Sequence, residues 1–445
     1  MKVALDAMGG DYAPRATVEG AVAAARELGI GVILVGDRAK LEKELAEHNA
    51  KGLNIAIEHA AEVVTMEDSP LESILVKHES SMHVSYELLK RGEADAVVSA
   101  GNSGAMMTAA MVILGTLPGV DRPAIATPVP SSDGLVLLID AGANTDVKPF
   151  NLVQFAVMGS LYAHHVMKLP RPRVGILSNG EEDSKGTEVT RASGATLRSM
   201  TDDLNYIGYV EGRDINIGKV DVVVTDGFTG NVVLKTMEGF AQFAFGNLRE
   251  LFSPSIRGSL AYLLIRKRIA ALRDRFDKSE YGGAPLLGVN GVAIIAHGSS
   301  NARAIRNALR TAADQALIKQ VNPAIVEMLG RVPLAIPVKG KGVRGLFTRV
   351  RERLQRHGRE ADRSKRGSGH GPDEAVISPR STGPLNKHDD DKLKLHRGDE
   401  SIADLTQHPV NGTSASASAP HDRALKPADE MGPPAPDNRP PKNPS

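Results

Sequence analysis

Lys185, Asn231 and His297 are the residues whose types and settings best suit group-transfer chemistry, each in a polar, glycine-bearing stretch that follows an apolar run. Lys185 stands in "SNGEEDSKGTEV", Asn231 in "DGFTGNVVLK" and His297 in "AIIAHGSSNARA". A lysine ammonium is a point charge suited to phosphate, a carboxamide is a neutral donor, and an imidazole can move a proton or donate a hydrogen bond. A fourth stretch, "SAGNSGAMM", carries Gly101, Asn102, Ser103 and Gly104 inside a run, 96–120, without a single charge. It shares its form with Gly227, Thr229, Gly230 and Asn231: a strand, glycine, polar residues and a helix start. Two such junctions could turn backbone N–H groups and amides toward one tetrahedral anion, with the lysine supplying charge. Ordinary helix capping and turn packing is the structural alternative for each.

Other chemistries are disfavoured. The chain has no cysteine, which excludes disulfides, thiolate metal sites and a cysteine nucleophile. It lacks a P-loop, a G-x-G-x-x-G after its first strand and a G-x-S-x-G elbow, so nucleotide cofactors and serine hydrolysis are not expected. The carboxylates Asp6, Asp11, Asp140, Asp146, Asp226, Glu181, Glu182 and Asp183 have no metal-ligand spacing; capping and lysine pairing are their expected roles. Neither a metal nor a cofactor is expected.

The elements that must position these residues read as α/β. Short β-branched runs ("KVALDA", "GVILVG", "NIAIEHA", "AVVSAG", "RVGILSNG", "VDVVVTDG", "GVAIIAHG") alternate with helical patterns near 14–28, 38–50, 70–91, 151–168, 186–199, 300–321 and from Asn231. "AIATPVP" and "LVLLIDAG" form a strand pair around "SSDG". Asp6, Asp140, Asn179, Asp226 and His297 follow strands, which predicts a shared crevice at the carboxyl edge of an open sheet. The uncharged run is long enough for a membrane span, but Asn, Ser, Thr, Gly and Pro118 interrupt it. A strand at 96–99 and a helix from about Ser103 to Leu114 fit better.

Composition divides the chain. Apolar periodicity stops near residue 335, giving one domain, 1–335. From Lys339 onward there is one aromatic, Phe347, and 20 Lys/Arg against 15 Asp/Glu, so 339–366 reads as a basic amphipathic segment and 367–445 as a disordered tail. The preceding part is slightly acidic, which gives no case for nucleic-acid binding. Within the domain, 248–280 is a helical segment in which Leu260, Leu263 and Leu264 stand beside Arg266, Lys267 and Arg268. A basic amphipathic helix of this kind suits an anionic membrane surface or an acidic protein; a core or dimer-interface helix is the other reading. Only three apolar residues precede Asp6, too few for a signal-peptide core, and a cytoplasmic protein is expected.

"DAMGGDYAP", "SAGNSGAMM", "RPAIATPVP", "LIDAGAN", "SNGEEDSKGT", "VVTDGFTGN" and "AHGSSN", in that order over about residues 1–335, resemble the bacterial fatty acyl-[acyl-carrier-protein]:phosphate acyltransferases of phospholipid synthesis. The resemblance implies transfer of a fatty acyl group from acyl-carrier protein to inorganic phosphate, yielding acyl phosphate for a membrane-bound glycerol-3-phosphate acyltransferase. It also implies a homodimer, peripheral membrane binding at the inner face of the cell membrane, and a Rossmann-like three-layer αβα sandwich of the isocitrate-dehydrogenase and phosphotransacetylase type. Asn102, Ser103, Lys185, Asn231 and His297 carry over as site candidates, with the two glycine junctions and Lys185 holding phosphate and Asn231 or His297 stabilising the oxyanion. Two alternatives stay open: a phosphotransacetylase acting on short acyl-coenzyme A, and a non-catalytic membrane scaffold.

Overall fold

The computed structural model describes residues 1–252, 256–317 and 321–331. The segments 339–366 and 367–445, and the last residues of the expected domain, lie outside the described residues.

The chain begins β1 (Lys2–Asp6), α1 (Arg15–Leu28), β2 (Gly31–Gly36), α2 (Arg38–Ala46) and β3 (Ile55–His59). It continues with α3 (Pro70–Val76), α4 (Ser81–Lys90), β4 (Ala96–Ser99), α5 (Ser103–Ala109), β5 (Ala124–Ser131), β6 (Gly134–Ile139) and α6 (Pro149–His165). Then follow β7 (Val174–Leu177), α7 (Glu188–Arg198), β8 (Tyr206–Val210), β9 (Val222–Val224), α8 (Gly227–Phe252) and α9 (Ile256–Asp274). The described region closes with β10 (Ala284–Leu287), β11 (Ala293–Ile295), α10 (Ala302–Leu317) and α11 (Val321–Arg331). The uncharged run is thus β4, α5 and a short π turn over 110–114, and no described helix is long and apolar enough to cross a membrane. The helix expected at 70–91 is two helices: Ser80 leaves helical geometry and its Oγ accepts from the His83 N–H at 3.3 Å, which starts a new one.

The strands form one mixed α/β sheet of eleven in the order β3-β2-β1-β4-β11-β10-β5-β6-β9-β7-β8. β3, β2, β1, β4 and β11 are parallel, as are β6, β9, β7 and β8. β10 is antiparallel to both β11 and β5, and β5 is antiparallel to β6. The two parallel blocks therefore run in opposite directions, and the single carboxyl edge expected from the sequence does not exist.

Alternation along the strands buries both faces. Ala4, Val97, Leu138 and Val223 belong to one core that spans the whole sheet, with α4, α5 and the start of α8 against it. Val3, Leu5 and Val98 pack on the opposite face with α1 and α10, whereas Leu137, Ile139 and Val222 pack there with α6 and α11. Helices thus cover both faces, giving the three layers expected.

Candidate active site

The turn after β4 is built on a buried carboxylate. Ser99 Oγ donates to Asp6 Oδ2 at 2.7 Å, and the Gly101 N–H donates to Ser99 Oγ at 3.0 Å. Burial pushes the Asp6 carboxyl above its ordinary range, and hydrogen bonds from Ser99 and the Met8 N–H work against that rise. Asn102 caps α5, its Oδ1 accepting from the Ala105 N–H at 3.1 Å. Its Nδ2 donates to the carbonyls of Met66 and Asp68 at 3.2 and 3.3 Å. The Asn102 amide thus holds the 65–68 loop, and Gly104 lies close against Pro70. From this turn Gly101 and Ser103 line the crevice.

The turn after β9 is built differently. α8 starts at Gly227 rather than Asn231, with Asp226 as its cap: Oδ1 accepts from the Thr229 N–H at 2.9 Å and Oδ2 from the Thr229 hydroxyl at 2.8 Å. A Cβ on Gly230 would stand 1.9 Å from the Asp140 carbonyl oxygen, and one on Gly227 would stand 2.6 Å from the Asn144 nitrogen. At these glycines the neighbouring loop takes the space a side chain would fill, and neither of them lines the crevice. That loop is organised by Asp140, fully buried, whose carboxylate accepts from the N–H groups of Ile125, Ala143 and Asn144 and from Asn144 Nδ2 at 2.7–3.0 Å.

With α8 so anchored, Asn231 and Lys235 stand one turn apart on the same helix face. Both line a crevice of about 380 Å³ over the antiparallel centre of the sheet, together with Gly101, Ser103, His297 and Ser299. His297 Nδ1 lies 3.1 Å from the Ser299 backbone nitrogen and 3.0 Å from its hydroxyl oxygen, which hold the ring in place. Nε2 in turn lies 3.5 Å from Lys235 Nζ. An ammonium and an imidazole in contact at the crevice wall are a setting for an anion that both can turn toward. Lys235 also pairs with Glu238 Oε2 at 2.9 Å. Most of the remaining lining is apolar, including Ile125, Val129, Leu234, Met237, Phe276 and Ile295, with Thr127, Glu238, Ser279 and Ser300 among its polar members.

The structure therefore brings Asn231, His297, Gly101 and Ser103 together, and adds Lys235, which the sequence reading missed although its spacing of four from Asn231 marked it. Lys185 is not in this crevice. It sits exposed in the loop before α7, where its backbone N–H donates to the Glu182 carbonyl at 2.9 Å. Of the five strand-end residues, only His297 lines the crevice. Asp6 and Asp140 support it from below, Asp226 caps α8, and Asn179 Oδ1 accepts from the Gly186 N–H at 2.9 Å.

The family described as "Fatty acid synthesis protein" matches residues 1–323. The chain belongs to this family. Two relatives, from Geobacter sulfurreducens and Geotalea daltonii, both named "Phosphate acyltransferase", are each 54% identical over 329 residues, covering 74% of this chain and 94% of the relative. Among solved structures, a phosphotransacetylase from Streptococcus pyogenes aligns over 71% of this chain and 94% of its own with a TM-score of 0.48 and 16% identity. The family match stops short of the basic segment and tail, so neither belongs to what the family shares.

The helical pair is the remaining expected feature. Leu263 and Leu264 are 53% and 78% exposed, and Arg266, Lys267 and Arg268 are exposed beside them; the side chain of Leu260 lies outside the described residues. The apolar residues do not form one stripe. At about 100° per residue, Leu263 and Leu264 point to one side of α9, and Ile269 and Leu272 to the other. On α8, Phe228, Val232, Phe240 and Phe243 are all at least half exposed and share one side.

Proposed function

We infer that this chain is a phosphate acyltransferase: it transfers an acyl group to inorganic phosphate. The observation that carries the reading is a crevice that joins Asn231, Lys235 and His297 to a largely apolar lining, in a chain 54% identical to relatives of that name. Phosphate near neutral pH is already partly dianionic, so it needs positioning more than deprotonation. Lys235 and His297 Nε2 hold it. A phosphate oxygen attacks the thioester carbonyl carbon, the C–O bond forms, and the carbonyl oxygen gains the charge that the Asn231 amide stabilises. The C–S bond then breaks and the thiolate leaves, taking a proton from His297 or water. Lys185, on its exposed loop, acts as an outer cation that draws phosphate inward.

The acyl donor is acyl-carrier protein, and the acyl phosphate passes to a membrane-bound glycerol-3-phosphate acyltransferase in phospholipid synthesis. The exposed apolar side of α8 suits a second copy of the chain in a homodimer. Leu263, Leu264 and the adjoining Arg266, Lys267 and Arg268 suit an anionic membrane surface, where each basic residue is worth about 1 kcal/mol. Purified protein is expected to release carrier-protein thiol from acyl-carrier protein only when phosphate is present; thiol release without phosphate would indicate a thioesterase. A preference for short acyl-coenzyme A over the carrier protein would favour the phosphotransacetylase alternative. For the membrane reading, Leu263→Glu with Leu264→Glu is expected to release the protein from anionic vesicles, in the full chain and in one ending at Val338, while transfer in solution persists. Unchanged sedimentation would make α9 a packing or carrier-protein helix.

A further inference from the structure

The crevice has a second cavity behind it, and the central strands explain why. β5 pairs with β6 along residues 126–131, but with β10 only through Ala124 and Ile125. Past Ile125 the strands diverge, and the flank of β5 that faces away from β6 is covered by the chain running from Arg275 to Gly283. Arg275 Nη2 donates to the Ser131 carbonyl at 3.0 Å, which ties this cover to β5, and the Tyr281 hydroxyl donates to the Arg275 carbonyl, which closes the cover on itself. A cavity of about 500 Å³ lies beyond it. Pro128, Tyr281 and Gly283 line both this cavity and the crevice. These three residues border both spaces, and Tyr281 has the largest side chain of them.

The far side is suited to hydrocarbon along one wall. Leu135, Val136, Val166, Met167 and Leu169 form this apolar wall; Asp133, Glu280, Arg310 and Asp314 also line the cavity, as do Arg173 and Asp221, which are tied to each other by two hydrogen bonds of 2.8 and 2.9 Å. We propose that Tyr281 sets the acyl-chain length of the enzyme, standing as the end wall of the acyl pocket, and that the cavity behind it is a latent extension of that pocket for longer chains. The proposal rests on the acyl-transfer reading above. A chain that meets the tyrosine ring cannot bury further methylenes; with the ring gone, each additional buried methylene gains about fourfold in binding.

The test compares kcat/KM for medium-chain and long-chain acyl-carrier proteins, with phosphate as acceptor, in wild type, Tyr281→Ala and Tyr281→Phe. Tyr281→Ala is expected to raise the long-to-medium ratio at least tenfold. Tyr281→Phe keeps the ring, loses only the bond to Arg275, and is expected to leave the ratio within twofold of wild type. Val166→Trp in the Tyr281→Ala background fills the second cavity and is expected to cancel the gain. Should Tyr281→Ala fail to fold, Tyr281→Leu makes the same comparison with a shorter wall. An unchanged ratio in a folded variant, or a gain that survives Val166→Trp, overturns the proposal. Absence of phosphate-dependent transfer in wild type is a different result, and overturns the acyl-transfer reading beneath it.

Discussion

The junctions after β4 and after β9 are close in sequence form and opposite in use. In the first, glycine and asparagine are consumed by the fold: the Gly101 N–H goes to Ser99, and Asn102 is divided between its helix cap and the carbonyls of the 65–68 loop. In the second, the glycines take up the packing, with Gly230 against the Asp140 carbonyl. Cap duty falls to Asp226, and the asparagine is left to face the crevice with Lys235 one turn behind it. A glycine-polar-glycine junction therefore marks a close approach of backbone to something. Whether that something is a ligand or another loop depends on which residue does the capping.

Substituting the two asparagines breaks the comparison most sharply. Asn231→Ala is expected to lower turnover by about 10²–10³ with a small change in stability, the cost of one oxyanion donor. Asn102→Ala is expected to cost about 1–2 kcal/mol of stability through its lost cap, with turnover per folded molecule changed far less. Steady-state kinetics beside thermal melting separate them, and equal kinetic losses would mean that both junctions touch substrate.

The two lysines come next. Lys235→Ala is expected to raise the phosphate KM by tenfold to about a hundredfold, as for a charge-assisted contact of roughly 1.5–3 kcal/mol. Lys185→Ala is expected at the lower end, about tenfold, as for an outer cation that draws phosphate toward the crevice. A larger effect at Lys185 than at Lys235 would show that its loop closes over the crevice.

Glycine substitutions separate the junctions on stability. Gly230→Ala is expected to cost about 1–3 kcal/mol, because the carbonyl it meets is backbone and cannot turn away. Gly104→Ala meets the edge of the Pro70 ring at 2.9 Å, which can yield, and is expected to cost less. Equal losses in denaturant unfolding would contradict this account of the second junction.

The smallest effect concerns the buried carboxylates beneath each junction. Burial raises both Asp6 and Asp140 above the ordinary 3.8. A raised acid favours folding in its protonated form. That contribution is present below 3.8 and is lost as pH rises through the folded-state value. Asp6→Asn and Asp140→Asn, which resemble the protonated acid, are each expected to flatten the dependence of unfolding free energy on pH just above 3.8. An unchanged slope would show that hydrogen bonds already cancel the cost of burial.

Much of this was legible in the sequence because it is local. The β-branched runs, the alternation that buries both faces and the "SSDG" hairpin are short-range patterns, and the crevice residues Gly101, Ser103, Asn231 and His297 stood at strand ends. The opposed directions of the two parallel blocks were not legible, since they depend on antiparallel pairings of only two residues each, β10 with β11 and β10 with β5. Lys185 attracted attention because a polar loop reads alike whether it faces a crevice or water. Lys235 escaped it by lying inside a helix, where only its spacing from Asn231 signalled a shared face. The roles of Gly227 and Gly230 could not be read, because sequence shows that backbone is approached but not by what.

The central claim is that phosphate attacks the thioester directly, with Asn231 stabilising the oxyanion. Acyl phosphate formation from acyl-carrier protein, followed against phosphate concentration in wild type and Asn231→Ala, tests it most directly. The account predicts saturable dependence in both, a phosphate KM changed less than about threefold, and a turnover lower by about 10²–10³ in the variant. Thiol release that continues in wild type without phosphate, or an Asn231→Ala enzyme with full turnover, would contradict it.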